Sequence, residues 1–331
     1  MTRFIDEYRG RFGVEPICRA LKVSASGYYH RKTGERSARA VEDERLLGVI
    51  RETHERNYQA YGYRKMWLRL RKAGETAPRC QVQRLMREHQ IVGAKGRGKR
   101  WKTTVPDPKA PRHPDLVKRD FTTDAPDRLW VSDFTYLRCW EGRVFFSFVI
   151  DVFSRKIVGW QFAPHMRSDL VIDALQMALG TRQPGADVLI AHSDAGSQYT
   201  SWDYREALQD HHVQGSIGTV GDAYDNAMAE SFVDTFKTEL IKDRVWQTRS
   251  QMELAIIEYV HWFNTERLHQ SLDDLTPTEI EDAWHAGKAL EHHPNSLGPR
   301  PQSRSLQPLR ACLNYFFGGV GGGGVVIHLR G

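Results

Sequence analysis

The spacing of hydrophobic positions changes along this chain, and each change predicts an element. In residues 41–93 apolar side chains recur three and four positions apart, the spacing of one helix face. Leu46, Leu47 and Ile50 mark a helix over about Glu42–Glu55. Met66, Trp67 and Leu70 mark a second over about Gly62–Lys72, ended by Gly74. Val82, Leu85 and Met86 mark a third, opening at Pro78, a residue suited to a first helical position. Ahead of these, residues 1–40 predict one short helix through Ile17–Leu21, a Ser/Gly turn at Ser24–Gly27 and the pair Tyr28–Tyr29.

From Phe121 the pattern shortens. Trp130–Arg138 reads as a strand and Val144–Phe153 as one buried on both faces, because its apolar run is nearly unbroken. Ile157–Ala163, Val188–Ala191 and Gln214–Ile217 are further strands. Between them a helix capped by Ser168 carries the stripe Leu170, Val171, Ala174, Leu175, Ala178 and Leu179, and another spans about Trp202–Gln209. Three successive strands followed by alternation with helices predict an α/β fold, a mixed five-stranded sheet flanked by helices. Gly215, Gly218 and Gly221 predict a mobile loop, after which Asp225 or Asn226 caps a helix burying Ala229, Phe232, Val233, Phe236 and Leu240. Capping boxes at Ser250–Glu253 and Thr276–Glu279 open two more helices. Prolines and a glycine-rich end after Ala289 predict a flexible tail. The expected organisation is therefore 1–40 helical, 41–93 a small all-α helix-turn-helix-like domain, 94–120 a basic linker, 121–285 the sheet domain and 286–331 the tail.

Charge sharpens this division. The formal net charge is +6, but residues 1–120 carry +15 and residues 121–331 carry −9. A basic front interleaved with Tyr and Trp suits a polyanion such as DNA. Arg79, Gln83 and Arg87 fall at i, i+4 and i+8 on the third helix, as on the outer face of a recognition helix, and Arg64 and Lys65 lie on the second. A plain three-helix bundle with a wet basic face is the alternative. Lys99 and Arg100 cluster beside Trp101 in the linker, a composition that tracks phosphates and stacks on bases. Arg267 and His269, in NTERLHQSL, either touch DNA or bind backbone carbonyls. Four scattered cysteines without a C-x-x-C pair suggest neither a disulfide framework nor a zinc site, and fit a reducing cytosol. The charged N-terminus is not a signal peptide, and no apolar run reaches the length of about 18 residues needed to span a membrane.

Three carboxylates stand out. Asp133 lies in the run WVSDFTYL, Asp194 follows the strand ending HSD, and Glu230 is in the first turn of a helix. Ligands gather at strand ends in such sheets. Phosphodiester cleavage needs an activated oxygen nucleophile and charge stabilisation at the leaving oxygen, which two divalent cations about 3.5–4 Å apart supply. Mg²⁺, or Mn²⁺ in its place, prefers oxygen ligands and leaves part of its shell to substrate. Lys237, two turns beyond Glu230, can meet a phosphate or simply pair with Asp234.

In order and spacing, SASGYY at 24–29, YGYRKMWLRL at 61–70, RLMRE at 84–88, LVKRDFTTDAPDRLWVSDFTYL at 116–137, VIDVFSRKIVGW at 149–160, HSDAGSQYTS at 192–201, GDAYDNAMAESFVDTFKTEL at 221–240 and NTERLHQSLDDLTPTE at 264–279 resemble the second-frame product of the IS-three family of insertion sequences. The resemblance covers roughly residues 1–285. It implies an RNase H-like, retroviral-integrase-like core and a DDE-type transposase with Asp133, Asp194 and Glu230 as catalytic, metal-holding acids and Lys237 at a DNA-contacting position. It implies Mg²⁺ as cofactor, element ends and target DNA as substrates, a circular DNA intermediate, and action in the bacterial cytoplasm at the nucleoid. Its implied partners are an upstream-frame product or fusion and further copies on DNA, with no membrane. A silent DNA-binding relic or regulator, and an RNase H-like nuclease acting on hybrids, are the competing expectations.

Overall fold

The computed structural model describes residues 1–34, 36–95, 113–117, 120–184, 188–218 and 227–287. Lys99, Arg100, Trp101, most of the linker, Gly221 with Asp225 and Asn226, and the tail lie outside those residues. Within them the front carries α1 (Thr2–Phe12), α2 (Val14–Ala20), α3 (Ala25–Thr33), α4 (Ala38–Arg56), α5 (Tyr63–Lys72) and α6 (Arg79–Glu88). Strands β1 (Leu129–Cys139), β2 (Gly142–Asp151) and β3 (Ile157–Ala163) follow, then α7 (Ser168–Arg182), β4 (Ile190–Ser193), α8 (Trp202–Asp210) and β5 (Gln214–Ile217). Helices α9 (Ala227–Phe236), α10 (Arg249–Thr265) and α11 (Pro277–His285) close the described chain.

The sheet runs in the order β3-β2-β1-β4-β5. β1, β2 and β3 are an antiparallel meander, and β4 and β5 add in parallel beside β1, the mixed arrangement expected from two strand-only connections followed by helical crossovers. Because side chains alternate across a strand, β1 feeds two cores. Trp130, with Val149, Val158 and Ala191, packs under α7 and α8. Val131 and Leu137, with Phe146, Phe148 and Ile150, pack under α9 and α10. A Cβ at position 159 would lie 2.2 Å from the Ala174 carbonyl oxygen, so only glycine lets α7 lie this close to β3.

The front helices join that second core rather than standing apart. Ile50, Tyr61, Met66 and Leu85 share one buried cluster with Phe236, Tyr259, Trp262 and Phe263. The Tyr61 hydroxyl donates to the Glu266 carbonyl at 3.3 Å and accepts from the Leu268 amide at 2.9 Å. The Trp262 indole N–H donates to Asn57 Oδ1 at 3.1 Å. Helices α1–α3 have a separate cluster of Ile5, Ile17, Cys18 and Tyr28. Three helices there, instead of the one expected, reflect short segments whose helicity depends on mutual packing rather than on a long stripe.

Two expected caps sit elsewhere. Arg167, without a side-chain capping bond, precedes α7, and Ser168 is already helical. Thr248, in extended backbone, caps α10 by accepting from the Gln251 amide at 3.1 Å, which leaves Ser250 inside the first turn. The Thr276–Glu279 capping box forms, with Pro277 at the first position.

Candidate active site

Strand register assembles the acids. β1 and β4 pair Ser132 with Ser193. Asp133 and Asp194 are the next residues along this register, neighbouring strands lie about 4.8 Å apart, and the two carboxylates are near enough for the charge of Asp194 to raise Asp133. Across β1, Asp133 is opposite Phe148 of β2. The ring of Phe232 on α9 packs 4.5 Å from that of Phe148, and Phe236 stacks 4.9 Å from Phe146. These contacts lay α9 across the face that carries Asp133, with Glu230 in its first turn.

The electrostatics agree. Burial pushes the Asp133 carboxyl well above its ordinary value, and the negative charges of Asp194 and Glu230 push the same way. The Phe134 amide, donating to Asp133 Oδ1 at 2.7 Å, and the Lys237 ammonium act against that rise. Burial also raises Asp194, opposed by the Gly196 amide, which donates to its Oδ1 at 3.0 Å, and by His192. A Cβ on residue 196 would sit 2.9 Å from that same oxygen, so glycine lets the loop backbone reach the carboxylate. His192 is packed, its Nδ1 lying 2.9 Å from Ser216 Oγ and its ring edge-on to Phe121. Tyr199 is buried near both aspartates; burial first, then their charges, raises its phenol well above normal.

After Phe236 the helix continues as a π-helical turn over Lys237–Ile241. Such turns recur at functional sites because they re-aim side chains within a helix. Here Lys237 lies over the half-exposed ring of Tyr136, 5.0 Å from its centroid, and the same turn buries Glu239. Tyr136 stands three residues after Asp133 on β1, and no local pattern in the sequence announces its contact with Lys237.

Among the described residues no three acidic, cysteine or histidine side chains close tightly enough to cage a metal ion. The donor set is nonetheless of the kind a divalent cation takes. Mg²⁺ is ordinarily held by one or two carboxylates plus substrate and water rather than by a full protein cage.

The basic candidates separate. Arg79, Gln83 and Arg87 lie exposed along α6, with Arg79 against the Tyr63 ring, its guanidinium carbon 5.2 Å from the centroid. Arg64 is exposed and paired with Asp274 at 2.6 Å. Lys65 is partly buried near Tyr61, and burial pulls its ammonium down to about 8. Arg267 and His269 correct the expectation of DNA contact. Arg267, its side chain 12% exposed, is held in an ion pair with Glu239 at 2.7 Å and lies against Trp262 and Phe263. His269 is 6% exposed, with Nε2 3.3 Å from the Phe263 carbonyl oxygen. His269 thus meets a backbone carbonyl, the alternative weighed for it, whereas Arg267 meets a carboxylate instead.

Residues 123–223 match a family described as integrase core domain, residues 211–277 match a second family of the same description, and residues 41–100 match one described as HTH-like domain. The chain is 40% identical over 291 residues to the transposase for insertion sequence element IS629 of Shigella sonnei, covering 86% of this chain and 97% of that protein. It is 32% identical over 283 residues to transposase InsF of IS3A from Escherichia coli K12, covering 84% and 97% respectively. Among solved structures, the HTLV-2 integrase catalytic core domain in complex with magnesium aligns at a TM-score of 0.38 and 16% identity, covering 48% of this chain and 98% of that one.

Proposed function

Because this chain belongs to the insertion-sequence transposases that carry an integrase core domain, we propose that it cleaves and joins DNA strands through Asp133, Asp194 and Glu230. The observation that carries the reading is the register that sets Asp133 beside Asp194, with Glu230 close enough to raise the Asp133 carboxyl. Like charges gathered in a buried place call for a counter-cation. Two Mg²⁺ ions, or Mn²⁺, when bound, would polarise the phosphate and lower the pKa of the attacking oxygen. The Phe134 and Gly196 amides each hold one oxygen of their aspartate, which leaves the other for a cation. Lys237 offsets phosphate charge beside Asp133.

Water attacks the phosphodiester at the element end and frees a 3′-hydroxyl. That hydroxyl then attacks a second phosphodiester, one P–O bond forming as another breaks, with no protein-linked intermediate; joining one end to the other yields the circular form. Arg79, Gln83 and Arg87, with Arg64, contact the duplex, and Lys99, Arg100 and Trp101 extend that contact along the linker. The partners are element ends, target DNA, the upstream-frame product and a second copy, met at the bacterial nucleoid.

A duplex with one precut end, Mg²⁺ and added upstream-frame product test this. Wild type joins the end to target DNA, and Asp194→Asn binds equally but joins nothing. Equal binding with no joining by either protein overturns the enzyme reading in favour of a regulator. Preferential cleavage of an RNA–DNA hybrid overturns it in favour of a nuclease.

A further inference from the structure

Residues 1–33 match neither the HTH-like nor the integrase core family, and their sequence promised only a packing element. The structure turns them into a complete three-helix unit, and its second and third helices meet through a specific turn. α2 ends at Ala20 and α3 begins at Ala25. The short connection between them, Leu21 to Ser24, is of the length that joins the two helices of a DNA-reading helix-turn-helix. Lys22 holds the left-handed conformation, φ 53°, that a tight exit from a helix demands. The Val23 amide donates to the Cys18 carbonyl at 2.9 Å and the Lys22 amide to the Arg19 carbonyl at 3.2 Å, the two bonds that close such an exit. Ser24 then caps α3 by accepting from the Gly27 amide at 3.3 Å. The chain therefore leaves one helix and enters the next with both ends fixed.

The third helix is clamped from behind. Tyr28 is 1% exposed among Ile5, Ile17 and Cys18, and its hydroxyl donates to Asp6 of α1 at 2.6 Å. Lys32 pairs with the same carboxylate at 3.0 Å. One of the unit's three acids is thus turned to holding α3, while Arg3, Arg9, Arg11, Arg19 and Lys22 remain exposed, within a segment of net charge +4. Opposite Tyr28, the face formed by Ser26, Tyr29 and His30 is exposed. These side chains carry donors and acceptors suited to base edges and phosphates. By contrast, α5 and α6 are joined by the longer connection from Ala73 to Pro78 and are built into the core of the sheet domain.

We infer that residues 1–33 are a second DNA-reading module, a helix-turn-helix whose α3 enters the major groove of duplex DNA and reads sequence through Ser26, Tyr29 and His30. Arg19 and Lys22 flank the groove and hold phosphates.

The test uses full-length protein in an Asp194→Asn background without divalent ion, so its outcome does not depend on catalysis. A pool of random duplexes is selected on the protein. Wild type enriches a short motif, and the Ser26→Ala/Tyr29→Ala/His30→Ala variant loses about tenfold or more of its preference for that motif, with non-selected duplex bound equally. Arg19→Gln/Lys22→Gln weakens all duplexes alike and lowers the slope of log affinity against log salt by about two. Tyr28→Ala, which breaks the clamp, loses the same preference as the triple variant. Unchanged selection by the triple variant, or no motif enriched by wild type, overturns the inference. So does a triple variant that keeps DNA selection but no longer binds the upstream-frame product, since α3 would then be a protein interface.

Discussion

Two sets of carboxylates withdrawn from solvent in this protein are arranged in opposite ways. Around Asp133, burial first and then the charges of Asp194 and Glu230 push the carboxyl toward holding its proton, against the Phe134 amide and Lys237. Around Glu239, one π-helical turn past α9, every neighbour satisfies the charge. Arg267 meets both of its oxygens, the nearer at 2.7 Å, and the Tyr259 hydroxyl donates to it at 2.9 Å. Glu281 is similar, held by Lys156 at 2.7 Å, Arg182 at 2.9 Å and the Ser154 hydroxyl at 2.8 Å. The proposed site and the scaffold differ in this respect. Perturbed carboxylates gathered in one place are candidates for function, whereas a fully paired buried charge serves the fold.

The sharpest way to break this comparison is to neutralise one member of each set. Asp194→Asn should lower strand transfer by on the order of 10³-fold or more while leaving the urea midpoint unchanged or higher, because a repelling charge is gone. Glu239→Gln should do the reverse, lowering stability by about 3–5 kcal/mol because Arg267 stays buried without its counter-charge. A Glu239→Gln protein as stable as wild type would erase the distinction.

A neutral pair sharpens it next. Asn264 mimics a strand neighbour for β3, its Nδ2 donating to the Ile157 carbonyl at 2.9 Å and its Oδ1 accepting the Ile157 amide at 2.9 Å. Asn264→Ala should cost about 2–3 kcal/mol in chemical unfolding, since both backbone groups are left unpaired where the β2–β3 register shifts between Val149 and Ile150. The smallest effect belongs to Lys65, whose folded value of about 8 lies below its ordinary 10.5. The unfolded chain then binds the proton more tightly, so this residue makes stability rise as pH climbs from about 8 toward 10.5. Lys65→Met should flatten that rise and, at neutral pH, add on the order of 1–2 kcal/mol. An unaltered pH profile would show that its burial carries no penalty.

What could be read before folding followed from period and position. The alternation in WVSDFTYL placed Asp133 on a strand, and the apolar run before HSD placed Asp194 at a strand end. The order of strands and helices implied the mixed sheet that joins them. Arg267 and His269 were ambiguous because nothing local distinguishes a buried arginine from a wet one. The difference is Glu239, a partner distant in sequence whose side chain is turned inward by a π-helical turn that no hydrophobic pattern announces. The partial burial of Lys65 has a similar origin, since its neighbour Tyr61 is buried through Glu266 and Leu268. The unit at residues 1–33 was underread because its helices are short and its turn relies on a left-handed lysine where glycine would have signalled the motif.

The bonds of Tyr61 and Trp262 across the helical front and the sheet domain have a practical corollary. A fragment beginning at residue 121 would lay bare the greasy side of α10, so a soluble, isolated catalytic piece is not to be had by trimming. The same seam runs through one continuous core, from Leu85 of α6 to Phe148, the strand neighbour of Asp133.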